Sequence, residues 1–121
     1  MNELLENYIL ADGTIISISL GLEYQFTSNS PVRQAIIQLA VRKRLSPTKW
    51  IPCQIQLQFH QLCRIKVLED FSSASYSDIV LKQLSDTTWY LSLDPFGNTG
   101  EPHEQDNLVI VANQLTLKEV I

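Results

Sequence analysis

Apolar and polar residues alternate with a period of two along most of this chain, and that rhythm predicts strands rather than helices. It is clearest over residues 52–68, where Ile55, Leu57 and Phe59 lie on one side and Gln54, Gln56, Gln58 and His60 on the other. Residues 78–84 and 88–93 flank Ser85-Asp86-Thr87 and read as a hairpin. Residues 108–112 and 115–120 read as another, turning over Asn113-Gln114 so that Ile110 faces Leu117 and Ala112 faces Leu115. Near the start, Asp12-Gly13 is a hairpin-type turn between residues 8–11 and 14–20. Gly21 marks a bulge before residues 22–27, and Ser28-Asn29-Ser30-Pro31 is a break.

Residues 32–45 fit two periods. A helix capped by Ser30 and opened by Pro31 would gather Val32, Ala35, Ile36, Leu39 and Ala40 on one stripe but expose Ile37 and Val41. A strand would set Ala35, Ile37, Leu39 and Val41 against Gln34, Gln38 and Arg42, leaving Ile36 on the wet face. The strand is preferred, because Ser46-Pro47-Thr48 before Trp50 looks like a connection between two paired strands. The expectation is therefore one mainly β domain over residues 1–121. It would be an antiparallel sandwich or curled sheet of about eight strands, with at most one or two short helices.

Composition narrows the picture. A hydrophobic share of 45% with 18% charged residues is that of a globular chain. The longest apolar runs, residues 15–22 and 108–112, are far too short to span a membrane. Glu3, Glu6 and Asp12 stand where a signal peptide would be basic or apolar, so a cytoplasmic location is expected. Cys53 and Cys63 match no zinc or redox spacing. On one extended strand they would stand roughly 33 Å apart. Both are expected to be reduced, buried and inert, as free cysteines usually are.

Charge is unevenly spread. Residues 24–68 carry seven basic side chains and no acid, whereas residues 69–121 carry nine acids against Lys82 and Lys118. The basic run Arg42-Lys43-Arg44 is a candidate patch for an anionic partner, with Arg42 and Arg44 as binding residues. Ion pairing across neighbouring strands is the plainer explanation. Nucleic acid fits poorly, because the net charge is −4 and no aromatics interleave with the basic residues.

The acids concentrate in residues 94–106, where Asp94, Glu101, Glu104 and Asp106 accompany His103. Such a set could bind a partner, converge on a metal or supply a general acid and base. The spacing is not that of a calcium loop, and a solvated connector between strands is the plainer explanation. No phosphate-cradling loop, nucleophile elbow or helix-borne metal motif is present, so no cofactor, metal or catalytic residue is assigned. Among the aromatics, Trp89 shares parity with Leu91 and Leu93 and belongs to the core, whereas Tyr90 points the other way as a surface binding residue.

One combination carries a resemblance. It runs from Trp50-Ile51-Pro52 through Ile55-Gln56-Leu57-Gln58-Phe59 and Ile65-Lys66-Val67 to Ser77-Asp78-Ile79, then Trp89-Tyr90-Leu91-Ser92-Leu93-Asp94-Pro95 and Asp106-Asn107. In this the chain resembles small β-rich bacterial proteins, some of them regarded as immunity proteins of polymorphic toxin systems. The resemblance implies a β-rich, non-catalytic protein-binding module and assigns no functional residue. The leading expectation is an immunity-type inhibitor that occludes a toxin's basic groove with the acidic loop, residues 101–106 and Asp94. Two other classes remain open. One is a small-ligand or metal-dependent enzyme using residues 94–106; the other is a structural protein that self-associates through an open strand edge.

Overall fold

The structure is a computed structural model that describes residues 6–24, 31–72, 76, 78–97 and 99–120. It is mainly β. The strands are β1 (Tyr8–Leu22), β2 (Arg33–Ser46), β3 (Lys49–Lys66), β4 (Val80–Ser85), β5 (Thr88–Asp94) and β6 (Asn107–Val120). All pair antiparallel in one sheet of order β1-β2-β3-β6-β5-β4. Residues 32–45 are thus a strand, and Pro47-Thr48 and Asp86-Thr87 turn the β2–β3 and β4–β5 hairpins.

Among the described residues, six strands replace the expected eight because two supposed turns lie inside continuous strands. Asp12-Gly13 is a bulge in β1. Ile9 pairs with Arg42 and Thr14 with Ala40, so residues 10–13 stand against Val41 alone. Asp12 adopts a left-handed φ of 63° there. Gly13 has no room for a side chain, because a Cβ would lie 2.7 Å from the Leu10 carbonyl oxygen and 3.2 Å from Ile79 Cδ1. Asn113-Gln114 is likewise no turn. Leu108, Ile110 and Ala112 are buried at even positions and Leu115 at an odd one, so the strand's phase slips there without reversing. Ile110 pairs with Ile65 and Leu91, and Leu117 with Leu57, not with each other. The predicted 22–27 segment lies partly outside the described residues.

A similar slip runs along β3. Gln61 has a left-handed φ of 55°, and the register with β6 shifts between Leu62 and Arg64. Leu62 and Ile65 therefore pack against the core while Cys63 is exposed. Cys53 is half-buried, and neither thiol is in a disulfide. The expectation of two buried cysteines is corrected: Cys53 lies against the core as alternation predicts but is only half-buried, and the slip at Gln61 turns Cys63 out to an exposed position.

Stagger curls the sheet. β2 pairs with β3 only as far as His60, whereas β5 pairs with the stretch of β6 that lies beside Leu62 and beyond. Strands offset in this way bend a sheet toward closure. The concave face holds the core: Ala35, Ile37 and Leu39 of β2, Ile55, Leu57 and Phe59 of β3, and Leu91 and Leu93 of β5. Each is screened from water almost completely, and a side chain of this kind contributes about 1.5–3 kcal/mol on burial. Where β1 bulges, it touches Ile79 just before β4. Beyond that point β1 and the far side of the sheet part. Ile36 faces the wet convex side half-buried, as the strand reading requires.

Candidate functional site

The acidic loop is organised around its own last carboxylate. Asp106 is 1% exposed, on the convex side where Val80, Tyr90 and Val109 form a small second cluster. Its Oδ2 accepts from the Tyr90 hydroxyl at 2.5 Å and from the His103 N–H at 2.9 Å, and its Oδ1 accepts from the Phe96 N–H at 2.6 Å. Burial alone would raise the Asp106 carboxyl, but these three donors and the nearby His103 ring hold it below its ordinary value. Tyr90, desolvated and donating to a carboxylate, is pushed up to about 12. Both residues were expected on a binding surface. Both are buried, because β5 turns Tyr90 onto the convex cluster and the loop folds back over it.

The other acids do not converge. Glu101 pairs with Lys82 at 2.7 Å. Glu104 is exposed, and its backbone carbonyl accepts from Lys66 Nζ at 3.2 Å. Asp94 ends β5 opposite Asn107. The His103 ring stacks on Phe96 with centroids 4.6 Å apart, and its Nδ1 accepts from the Gln105 N–H. Among the described residues, no group of three or more His, Cys, Asp or Glu side chains could hold a metal ion. Asp106 and His103 fix the loop's own conformation, Glu101 ties it to β4, and the Glu104 side chain stays exposed.

The basic run is split by strand alternation. Arg42 is exposed, and Arg44 lies over the Trp50 ring at 5.2 Å. Lys43 instead bonds Glu119 at 2.7 Å. That carboxylate also accepts from the Tyr8 hydroxyl at 2.9 Å, and Cys53 Sγ stands 3.7 Å away. Lys43 and Tyr8 hold Glu119 below its ordinary value. Desolvation and the same carboxylate push the Cys53 thiol up, so it is a protonated thiol and a poor nucleophile. This group joins β1, β2, β3 and β6, and strand parity alone does not reveal it.

The surface that sequence reasoning missed lies at β1. It is the outermost strand, with β2 as its paired neighbour among the described residues. Ile18 pairs with buried Ile37 and Leu20 with buried Ala35, so both point toward the concave side. The core ends before it covers them: Ile16, Ile18 and Leu20 remain 44%, 37% and 38% exposed. Together with Val67, Phe71 and Leu108 they line an open cleft of about 490 Å³. Its far wall is formed by Val67, Glu69, Phe71 and Tyr76, which follow β3. Asn107 exchanges two hydrogen bonds with the Leu68 backbone, and Glu69 accepts from the Phe71 N–H at 2.7 Å and the Tyr76 hydroxyl at 3.2 Å. The cleft is thus an apolar trough beside an outer strand, with Glu69 and Tyr76 as its principal polar groups.

No helix among the described residues is long and apolar enough to cross a membrane. Comparison with protein-family models, with curated proteins and with solved structures finds no match to this chain.

Proposed function

We propose that this chain is a non-catalytic protein-binding module that docks its partner on the outer edge of β1 and the cleft beside it. The observation that carries this reading is the character of residues 14–22. They form the outer part of an edge strand, contain no charge and no proline, and leave three aliphatic side chains exposed in a row. Edges of this kind are normally blunted by charge, proline or brevity, because their N–H and C=O groups invite another strand. β4, at the other edge, is so protected: it has six residues and carries Lys82.

The occupant that fits is an extended segment with apolar residues at alternate positions. Its backbone would pair with β1 while every second side chain enters the cleft, the usual division between affinity and specificity in strand addition. An immunity-type inhibitor is one form of such a module. Here its toxin would meet the β1 edge, since in the acidic loop Asp106 is buried and Glu101 is paired with Lys82 of β4.

The test is a titration with a lysine-flanked peptide alternating isoleucine and serine, followed by residue-resolved chemical shifts. The largest shifts are expected in residues 14–22 and at Phe71. Ile18→Lys should weaken the peptide about tenfold or more, because it places a charge in the apolar trough. Glu101→Gln and Glu104→Gln should leave binding unchanged. Shifts confined to residues 94–106, or affinity governed by those glutamates, would overturn the reading.

A further inference from the structure

The outer strand is close to a mirror image of itself. Residues 16–20 read Ile-Ser-Ile-Ser-Leu, symmetric in residue type about Ile18. If two such strands pair antiparallel around a two-fold axis through Ile18, Ile18 meets its own copy, Ile16 meets Leu20 and Ser17 meets Ser19. Residues paired across an antiparallel ladder share a face. Ser17 and Ser19 oppose Gln38 and Ile36 on the polar convex side of the sheet, whereas Ile18 and Leu20 oppose Ile37 and Ala35 on the concave side. The symmetric register therefore joins apolar to apolar on one face and serine to serine on the other. Sliding one strand by a single residue would set Ile18 against a serine, at position 17 or 19, and break the matching of faces. Sliding it by two would set Gly21, which offers no side chain, against Ser17 in one direction and Leu20 against Thr14 in the other. Ile16 sits in the bulge between Ile15 and Ser17 and marks the end of the symmetric stretch.

We infer that the partner at the β1 edge is a second copy of this chain, joined in that register to make one continuous sheet through both molecules. The inference rests on the protein-binding reading of β1 and names its partner. Three features support it beyond the palindrome. A two-fold contact needs a patch that is complementary to itself, and a strand edge without charge satisfies this with no like-charge repulsion. The axis stands perpendicular to the sheet, so both concave faces open on the same side and the two clefts adjoin. Each copy then covers the aliphatic side chains that its own core leaves bare.

Two double variants on the exposed convex positions read the register directly. In S17K/S19K, both serine pairs on the convex face become lysine against lysine, and like charges directly opposite are destabilising. In S17K/S19E, each lysine faces a glutamate of the other copy. Neither variant touches the core, since Ser17 and Ser19 are both exposed. Sedimentation equilibrium across a concentration series should show the wild type and S17K/S19E as dimers, the latter weakened by added salt, and S17K/S19K as a monomer. A wild type that stays monomeric at every concentration would overturn the inference, as would S17K/S19K dimerising as tightly as the wild type. If the wild type is monomeric while the alternating peptide still shifts residues 14–22, the second copy is excluded and the protein-binding reading stands. If the peptide also leaves β1 unmoved, both fail.

Discussion

The loop over residues 94–106 and the outer half of β1 treat their chemical groups in opposite ways. The loop is rich in charge, yet its buried carboxylate has three donors around it, one glutamate has a lysine, and the histidine has a ring and an N–H as neighbours. β1 carries no charge from residue 14 to residue 22, yet it leaves aliphatic side chains in water beside an open cleft. Abundant charge marks a site only where the structure leaves it uncommitted. A modest run of isoleucines and serines can be the more demanding surface, because apolar area left exposed contributes stability only when something covers it.

The largest expected effect separates the two regions by stability. Asp106→Ala strips the acceptor from Tyr90, Phe96 and His103 at once and should cost about 3 kcal/mol in chemical denaturation. A loss under about 0.5 kcal/mol would show that the loop is merely solvated. Gly13→Ala should cost about 2 kcal/mol, because its Cβ would collide with the Leu10 carbonyl where the strand cannot give way. That result would establish the β1 bulge as an anchor from which the outer half of the strand extends.

Acid and alkali test the same network from two sides. The Asp106 carboxyl is lowered in the folded state, so its contribution is full above the ordinary aspartate value of 3.8 and is lost as pH falls through the lowered one. Wild-type stability should therefore decline below that value, and Asp106→Asn should flatten the decline. Tyr90 is raised to about 12 from 10.0, so its contribution is full below pH 10 and disappears as pH rises toward 12. Tyr90→Phe should remove its share of that alkaline loss in a pH-resolved unfolding series. Smallest of all, Glu101→Gln should change stability by less than about 0.5 kcal/mol, since its pairing with Lys82 is exposed.

How far the chain could be read follows from where its signals are local. The β2–β3 and β4–β5 hairpins are legible because a short turn joins strands whose alternation holds along most of their paired length, as from Ala35 to Val41 against Cys53 to Phe59. β1 and β6 are not, because a slip in alternation at residues 10–13 and at Asn113-Gln114 resembles the end of one strand and the start of another. Trp89 was placed in the core by its parity with Leu91 and Leu93, and it is buried there. Tyr90 was placed outside by the same parity, and it does face the convex side. Nothing local shows that the loop returns to cover that side. The edge position of β1 was hidden for a related reason. It depends on β6 inserting between β3 and β5, a pairing between residues some fifty positions apart in sequence. A run free of charge and proline at residues 14–22 was the one visible signal, and it becomes meaningful only once the strand is known to be outermost.

The central claim is that β1, and not the acidic loop, is the surface this molecule presents to a partner. Residue-resolved hydrogen exchange on dilute protein, with and without the alternating isoleucine–serine peptide, tests it most directly. Amides within residues 14–22 that point away from β2 are expected to slow markedly when the peptide is added, while those of residues 94–106 keep their rates. Unchanged exchange along β1, or protection that appears only in residues 94–106, would contradict the account.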